Sequence, residues 1–382
     1  MRLLSKAFMS TAAMALAATG ALPALAAEAS QDTAGTLDDG TKVTSVTLTG
    51  ADGVSVTILS FGATLWKFMA PDRDGELADI TLGYDDLQLF KDKPNFWGAT
   101  VGRYANRIDH GRFTLDGTAY QLPQNDGENS LHGGGKGFDV QNWKVEKVSS
   151  GKVARAIFTR TSPDGEAGYP GTVQARVTYT LDDHGTLQIA FDATTDKPTV
   201  INMTNHAIFN MAGEGAPQGA MGNVLTVPAS HYTPVSETLI PTGELAAVEG
   251  TPFDFRAGKA MEEGLRDGTD QQIVYGRGVD HNFALDKGLT KTPELAARLS
   301  DPESGRVLEV LTTEPGLQVY SGNFLDGTFL GKHGHLYRMG DGIALEPQKF
   351  PDAPNHSNFV SARVDPGTPY RHVMVYRVSV ER

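Results

Sequence analysis

The chain has 382 residues and no cysteine, with 33 basic against 46 acidic side chains for a formal net charge of −13. The absence of cysteine excludes a disulfide framework, thiol catalysis and thiolate metal sites. The acidic balance speaks against nucleic acid or an anionic membrane surface as partner.

Residues 1–26 carry the pattern of a secretory leader: Arg2 and Lys6, an Ala-rich apolar run, then Ala24-Leu25-Ala26 as a small-x-small cleavage site. The expected product is an exported protein, periplasmic or secreted, that starts near Ala27 and carries a formal charge of −15. Ser10, Thr11, Thr19, Gly20 and Pro23 make the run too weakly apolar for a membrane span. The 356 residues that remain are enough to bury a large core without covalent staples.

Residues 27–41 are small and polar, and their composition predicts a loose N-terminal arm. From Lys42 to the end the chain reads as a single all-β domain. Short β-branched runs at 43–48, 54–59, 63–68 and 80–84 are separated by Gly, Asp, Asn and Pro. Further runs follow at 143–148, 153–160, 172–181, 187–193 and 199–203, and the alternation from Val173 to Thr180 sends one face inward and one to solvent. Only 257–266 and 293–299 read as helical. Strands close the chain at 306–311, 317–321, 342–346 and 372–380. So many strands without intervening helices predict a large antiparallel sandwich or barrel rather than a doubly wound α/β fold.

The stretch Ile201-Asn202-Met203-Thr204-Asn205-His206-Ala207-Ile208-Phe209-Asn210 leaves an apolar strand and places four polar side chains within five residues. Each buried polar group left unpaired costs about 1–3 kcal/mol, so a polar network or a ligand must satisfy them. Of the four, only His206 can move a proton near neutral pH.

Five other polar clusters sit beside glycine turns or strand ends: Gly102–Ile108 with Arg103, Asn106 and Arg107; Asn129–Gly134 with His132; Asp280–Phe283; Glu314–Tyr320 with Gln318; and Leu345–Gln348 with Glu346. Amides, an arginine, an aspartate and aromatic faces suit the many donors and acceptors of sugar hydroxyls, and that task needs no cofactor. Each residue also has a plainer reading. An isolated arginine here is best read as pairing with a surface carboxylate, and Asp280 as an Asx-turn residue. His132 before two glycines is equally open as a turn histidine or a catalyst. Glu346 ends an apolar strand, where an internal salt bridge and a functional carboxylate stand level. No metal site is expected, because His333-Gly334-His335 lies on a Gly-rich loop without a carboxylate partner. Gly133-Gly134-Gly135-Lys136-Gly137 lacks the hydroxyl residue and helix of a phosphate loop.

Taken together, GRYANRI, NSLHGG, NMTNHAIFN, VDHNF, PGLQVYSGNFLDG and LEPQKFPDAPN resemble, in order, the motifs of the aldose 1-epimerase (galactose mutarotase) family from about Val43 to Glu381. The resemblance implies a galactose mutarotase-like β-supersandwich with an open sugar cleft, acting on free aldohexoses such as glucose and galactose. By motif, Glu346 resembles the catalytic base, His206 the acid and His132 the second active-site histidine. Asn106, Arg107, Asp280 and Gln318 resemble sugar-binding residues. Taking the anomeric proton and protonating the ring oxygen opens a pyranose, and each transfer is worth roughly 100- to 10,000-fold. That chemistry expects Glu346 ionised and His206 protonated. The departures are Met203, Ala207-Ile208 and Pro347, where the family commonly has Leu, a hydroxyl residue with an aromatic, and Thr. A binding protein that kept the cleft without turnover is the alternative. The expected partner is a small sugar, with the chain a monomer or homodimer.

Overall fold

The structure, a computed structural model, describes residues 27–50 and 53–382, so the expected leader lies outside the described residues. Three large antiparallel sheets organise the molecule. The first is a meander of β1 (Glu28–Thr36), β2 (Lys42–Thr49), β3 (Ser55–Leu59), β4 (Thr64–Pro71) and β5 (Leu77–Asp79). A nine-stranded sheet contains the strands Lys144–Ser149, Val153–Ser162, Val173–Asp182, Thr186–Thr195, Tyr370–Val380, Arg306–Thr312, Glu294–Ser300, Val224–Thr226 and Lys259–Ala260, in that spatial order. A six-stranded sheet runs Ile208–Phe209, Ile343–Gln348, Gly316–Tyr320, Asp280–Ala284, His231–Tyr232 and Ala246–Ala247.

One apolar cluster joins all three. Val46, Leu48, Val56 and Ile58 of the first sheet, Val177, Tyr179, Leu308 and Tyr376 of the second, and Phe283, Leu317, Val319 and Leu345 of the third belong to it. Period-two alternation produces this: Val173, Ala175, Val177, Tyr179 and Leu181 are buried, while Gln174 and Arg176 face solvent.

Three expectations fail here. The arm at 27–41 is mostly strand: β1 pairs with β2 from Glu28↔Thr49 to Thr36↔Lys42, and Gly151 N–H donates to Ala27 O at 3.1 Å. It is held by main-chain hydrogen bonds with most side chains exposed, so its composition carried no apolar signal. The segment expected to be helical at 293–299 is the strand Glu294–Ser300, paired on both sides. Its helix-forming Leu and Ala are overruled by burial, and an irregularity between Leu295 and Ala297 lets Ala296 and Ala297 both face the core. The segment 257–266 contains only the short strand Lys259–Ala260 and turns. The two α-helices among the described residues, Leu87–Asp92 and Gln271–Gly276, are only six residues long and are capped by Asp86 and Asp270.

Candidate active site

Alternation on the six-stranded sheet builds one wall of the site. Asp280 and Asn282, Gln318 and Tyr320, and Glu346 and Gln348 share a face, with Asn282, Gln318 and Glu346 directly opposite one another across three strands. The other face of the same strands is apolar core, containing Phe283, Leu317, Val319 and Leu345. Pro347 is tolerated because the strand Ile208–Phe209 pairs only with Ile343 and Ala344, so Pro347 has a sheet neighbour on one side alone.

The opposite wall comes from the stretch 201–210. Asn202 donates to Ala105 O and Lys349 O and accepts from Lys349 N, and Asn205 Nδ2 donates to Gly98 O at 2.6 Å. These amides hold backbone together, so two of the four polar groups serve the scaffold. His206 is clamped at its main chain, its N–H donating to Ala99 O at 3.0 Å and its carbonyl accepting from Gly98 N–H at 2.8 Å. Its ring enters the cleft, where Nε2 lies 3.6 Å from Glu346 Oε1.

A third wall comes from the two loops around Asn106 and His132, which bond to each other. His132 N–H donates to Asn106 O, and Asn106 N–H donates to His132 Nδ1, both at 3.1 Å. That second bond commits Nδ1 as acceptor, so neutral His132 carries its proton on Nε2. Arg107 Nε bonds Asp126 Oδ2 at 2.7 Å, and Nη1 lies 3.6 Å from Asp280 Oδ2. Gln318 Nε2 donates to Asp280 Oδ1 at 2.7 Å.

The cleft has a volume of about 460 Å³. That lies within the roughly 300–1,000 Å³ of small-molecule clefts, so a hexose of 12 non-hydrogen atoms fits with room at the mouth. Asn106, Arg107, His132, His206, Asp280 and Glu346 line it, and Gln318 stands one hydrogen bond behind Asp280. Arg103 is not part of it. That side chain is buried and spends its guanidinium on Pro170 O, Gly171 O and Ser162, not on a surface carboxylate. Of the two departures beside His206, Ala207 joins the main core and only Ile208 borders the cleft.

Sequence reading passed over Phe96, Trp97, Tyr275, Arg277 and Phe324, which also line the cavity. The Asn95-Phe96-Trp97-Gly98 run looks like ordinary core before a turn, and no pattern of spacing separates it from one.

Burial dominates the electrostatics. It pushes the Glu346 carboxyl well above its ordinary range, helped by Asp280 and opposed by Arg107. It pushes His206 down to about 4 and His132 well below 6.5. Asp280 is raised by burial against the pull of Arg107 and Gln318. Donor atoms of His132, His206 and Glu346 lie within 4.8 Å of one another, which raises the question of a metal. The set does not suit one, because His132 Nε2 would have to shed the proton that the Asn106 bond places there.

Among proteins of known sequence, the chain is 44% identical over 330 residues to a galactose mutarotase of Rattus norvegicus, covering 86% of this chain and 92% of that one. It is 38% identical over 346 residues to the aldose 1-epimerase of Escherichia coli (strain K12), covering 90% and 97%. Among solved structures it is similar to a galactose 1-epimerase from Lactobacillus acidophilus NCFM, with a TM-score of 0.82, 30% identity, and 93% and 100% of the two chains covered. The family model described as aldose 1-epimerase matches residues 44–377, and the chain belongs to that family.

Proposed function

We propose that the cleft interconverts the α and β anomers of free aldohexoses by opening and reclosing the pyranose ring, with Glu346 as base and His206 as acid. The observation that carries this reading is the 3.6 Å approach of His206 Nε2 to Glu346 Oε1 inside a sugar-sized cavity. Glu346 takes the proton of the anomeric hydroxyl as C1 and its oxygen become a carbonyl. The C1 to ring-oxygen bond breaks, its electron pair stays on the ring oxygen, and that oxygen takes the proton of His206. Rotation about C1–C2 and the reverse transfers give the other anomer and restore both groups.

The starting state requires a carboxylate and an imidazolium, whereas burial favours neutral His206 with the proton on Glu346. Attraction between the charges across 3.6 Å opposes that, by about 5 kcal/mol at an effective dielectric constant of about 20. The two effects bring both proton arrangements closer in energy than either effect alone. The arrangement favoured by burial is the one the pair holds while the sugar is open-chain.

Neutral His132, with Nε2–H directed by its Asn106 bond, is suited to donate a hydrogen bond to the sugar without titrating. Arg107, Asp280 and Gln318 form a connected set that can hold hydroxyl groups. The names of the relatives favour turnover over a cleft that only binds.

Polarimetry on fresh α-glucose and α-galactose tests the reading. Equilibration faster than the buffer blank is expected, and a protein no faster than buffer on any aldose would sink it. We also infer export, supported by the leader pattern of residues 1–26. Mass spectrometry of the protein from a native host should find an N-terminus near Ala27.

A further inference from the structure

Eleven non-glycine residues among those described have a positive φ, and five of them, Phe96, Asn106, His132, Leu239 and Arg277, line the cleft. The clustering matters because left-handed backbone is sterically costly and persists where surrounding structure enforces it. Asn106 and His132 are explained by the two hydrogen bonds that lock them together, and Arg277 by its place at the C-terminal cap of a helix. Phe96, with φ 63°, is a bulky aromatic in a region that disfavours it most.

The turn that holds Phe96 is fixed on both sides. Ala99 N–H donates to Phe96 O at 2.8 Å, and Gly98 N–H donates to His206 O at the same distance. Trp97 is buried with its ring 4.5 Å from that of Tyr84 and 5.2 Å from that of Tyr337. Gly98 admits no side chain, since a Cβ there would lie 2.1 Å from Leu65 O. The Phe96 ring therefore goes into the cleft. Its centroid is 4.5 Å from that of His132 and 6.0 Å from that of His206, and the two imidazoles are 5.2 Å apart at 78°.

We propose that Phe96 is a positioning residue for His206, held in left-handed backbone so that its ring walls both imidazoles off from bulk water and fixes their mutual orientation. The proposal rests on the reading of His206 as the acid. The groups facing His206 are Glu346 from the six-stranded sheet, His132 from its loop, and Phe96. Arg107 and Asp280 lie across the cleft and act on His132 and Glu346. Phe96 is the apolar member of this set. Its loss would hydrate the imidazole, and hydration favours the protonated ring.

The test is a ¹⁵N imidazole titration of the full chain by NMR, with the pH profile of kcat/KM, for wild type, Phe96→Ala and Phe96→Tyr. In Phe96→Ala the His206 titration should move upward by about one pH unit and the rate profile should shift with it. Phe96→Tyr should restore both to the wild-type positions. If Phe96→Ala does not fold by circular dichroism, Phe96→Leu, which leaves one side of the rings open, takes its place. A His206 titration that is the same with and without the aromatic ring overturns the proposal. The titration needs no turnover, so failure of mutarotation in the wild type would sink the proposed function and still leave this one decided.

Discussion

His206 and Glu346 are 140 positions apart, yet they face each other because of one short strand pairing. Ile208 pairs with Ala344 and Phe209 with Ile343, and extending that antiparallel register by two residues sets His206 opposite Glu346. The 3.6 Å between Nε2 and Oε1 is what such a position predicts. The proposed acid and base thus share a single geometric constraint. Glu346→Gln and His206→Asn should each lower kcat by about 100- to 10,000-fold in polarimetry. The double variant should be little worse than the poorer single, as expected for groups that act as a unit. Fully multiplicative losses would show that the two do not share one task.

The same burial predicts opposite pH dependences of stability. Glu346 has a folded pKa above its unfolded value of about 4.3, so the native state holds more protons across that window and stability falls as pH rises through it. Glu346→Gln should therefore be more stable than wild type at pH 8. His206 sits at about 4 when folded against 6.5 unfolded, so here the unfolded chain binds more protons and stability falls as pH drops from 6.5 to 4. His206→Asn should recover up to about 3 kcal/mol at pH 4. His281, which burial holds at about 3, keeps part of the acid sensitivity in that variant. Urea melts at pH 4, 6 and 8 decide the matter, and a Glu346→Gln protein no more stable than wild type at pH 8 would contradict it.

Arg107 is the cation on which the proposed sugar-binding wall depends. It reaches Asp126 with Nε and Asp280 with Nη1, and its side chain is 8% exposed. Arg107→Leu leaves Asp280 buried without a positive partner, which should cost about 3 kcal/mol of stability. It should also raise KM by about tenfold or more, because a protonated Asp280 is a weaker acceptor. Since Arg107 also holds Glu346 down, the acid limb of the rate profile should move to higher pH. Arg107→Lys should recover only part of this, for a point charge cannot span both carboxylates. Unchanged KM in the leucine variant would remove Arg107 from the binding wall.

The parts of this site that could be read from sequence were those where polar residues break an apolar strand. His206 and Glu346 stand out because a buried strand does not carry such groups idly, and the motif order tied them together. Arg103 and Arg107 could not be separated on residue type. One satisfies carbonyls inside the fold and the other lines the cleft, a difference of direction that residue type does not encode. Phe96 was illegible for a related reason. Its importance lies in a backbone angle, and an aromatic beside Trp97 reads simply as core. The strand Glu294–Ser300 was misread because its Leu, Ala and Arg are good helix formers, and only its neighbours on both sides make it a strand.

The last misreading, β1, leads to its own experiment. The family model begins at residue 44, after β1, so this strand lies outside the matched region. It covers the edge of β2 along its whole length and, through Ala27 and Ala29, reaches Gly151 and Ser150 beside the edge strand Lys144–Ser149 of the nine-stranded sheet. An uncovered β2 would present a row of unpaired main-chain groups, the usual template for edge-to-edge association. The cleft residues lie on other elements, and among the described residues none of those lining it precedes Asn95. A chain starting at Lys42 should therefore keep a near-normal kcat/KM at low concentration while melting several degrees lower. It should also aggregate at concentrations where the longer chain does not. Calorimetry, light scattering and polarimetry on the two chains side by side check this. A truncated chain that stays monodisperse and melts with the longer one would show that β1 contributes nothing to the edge it covers.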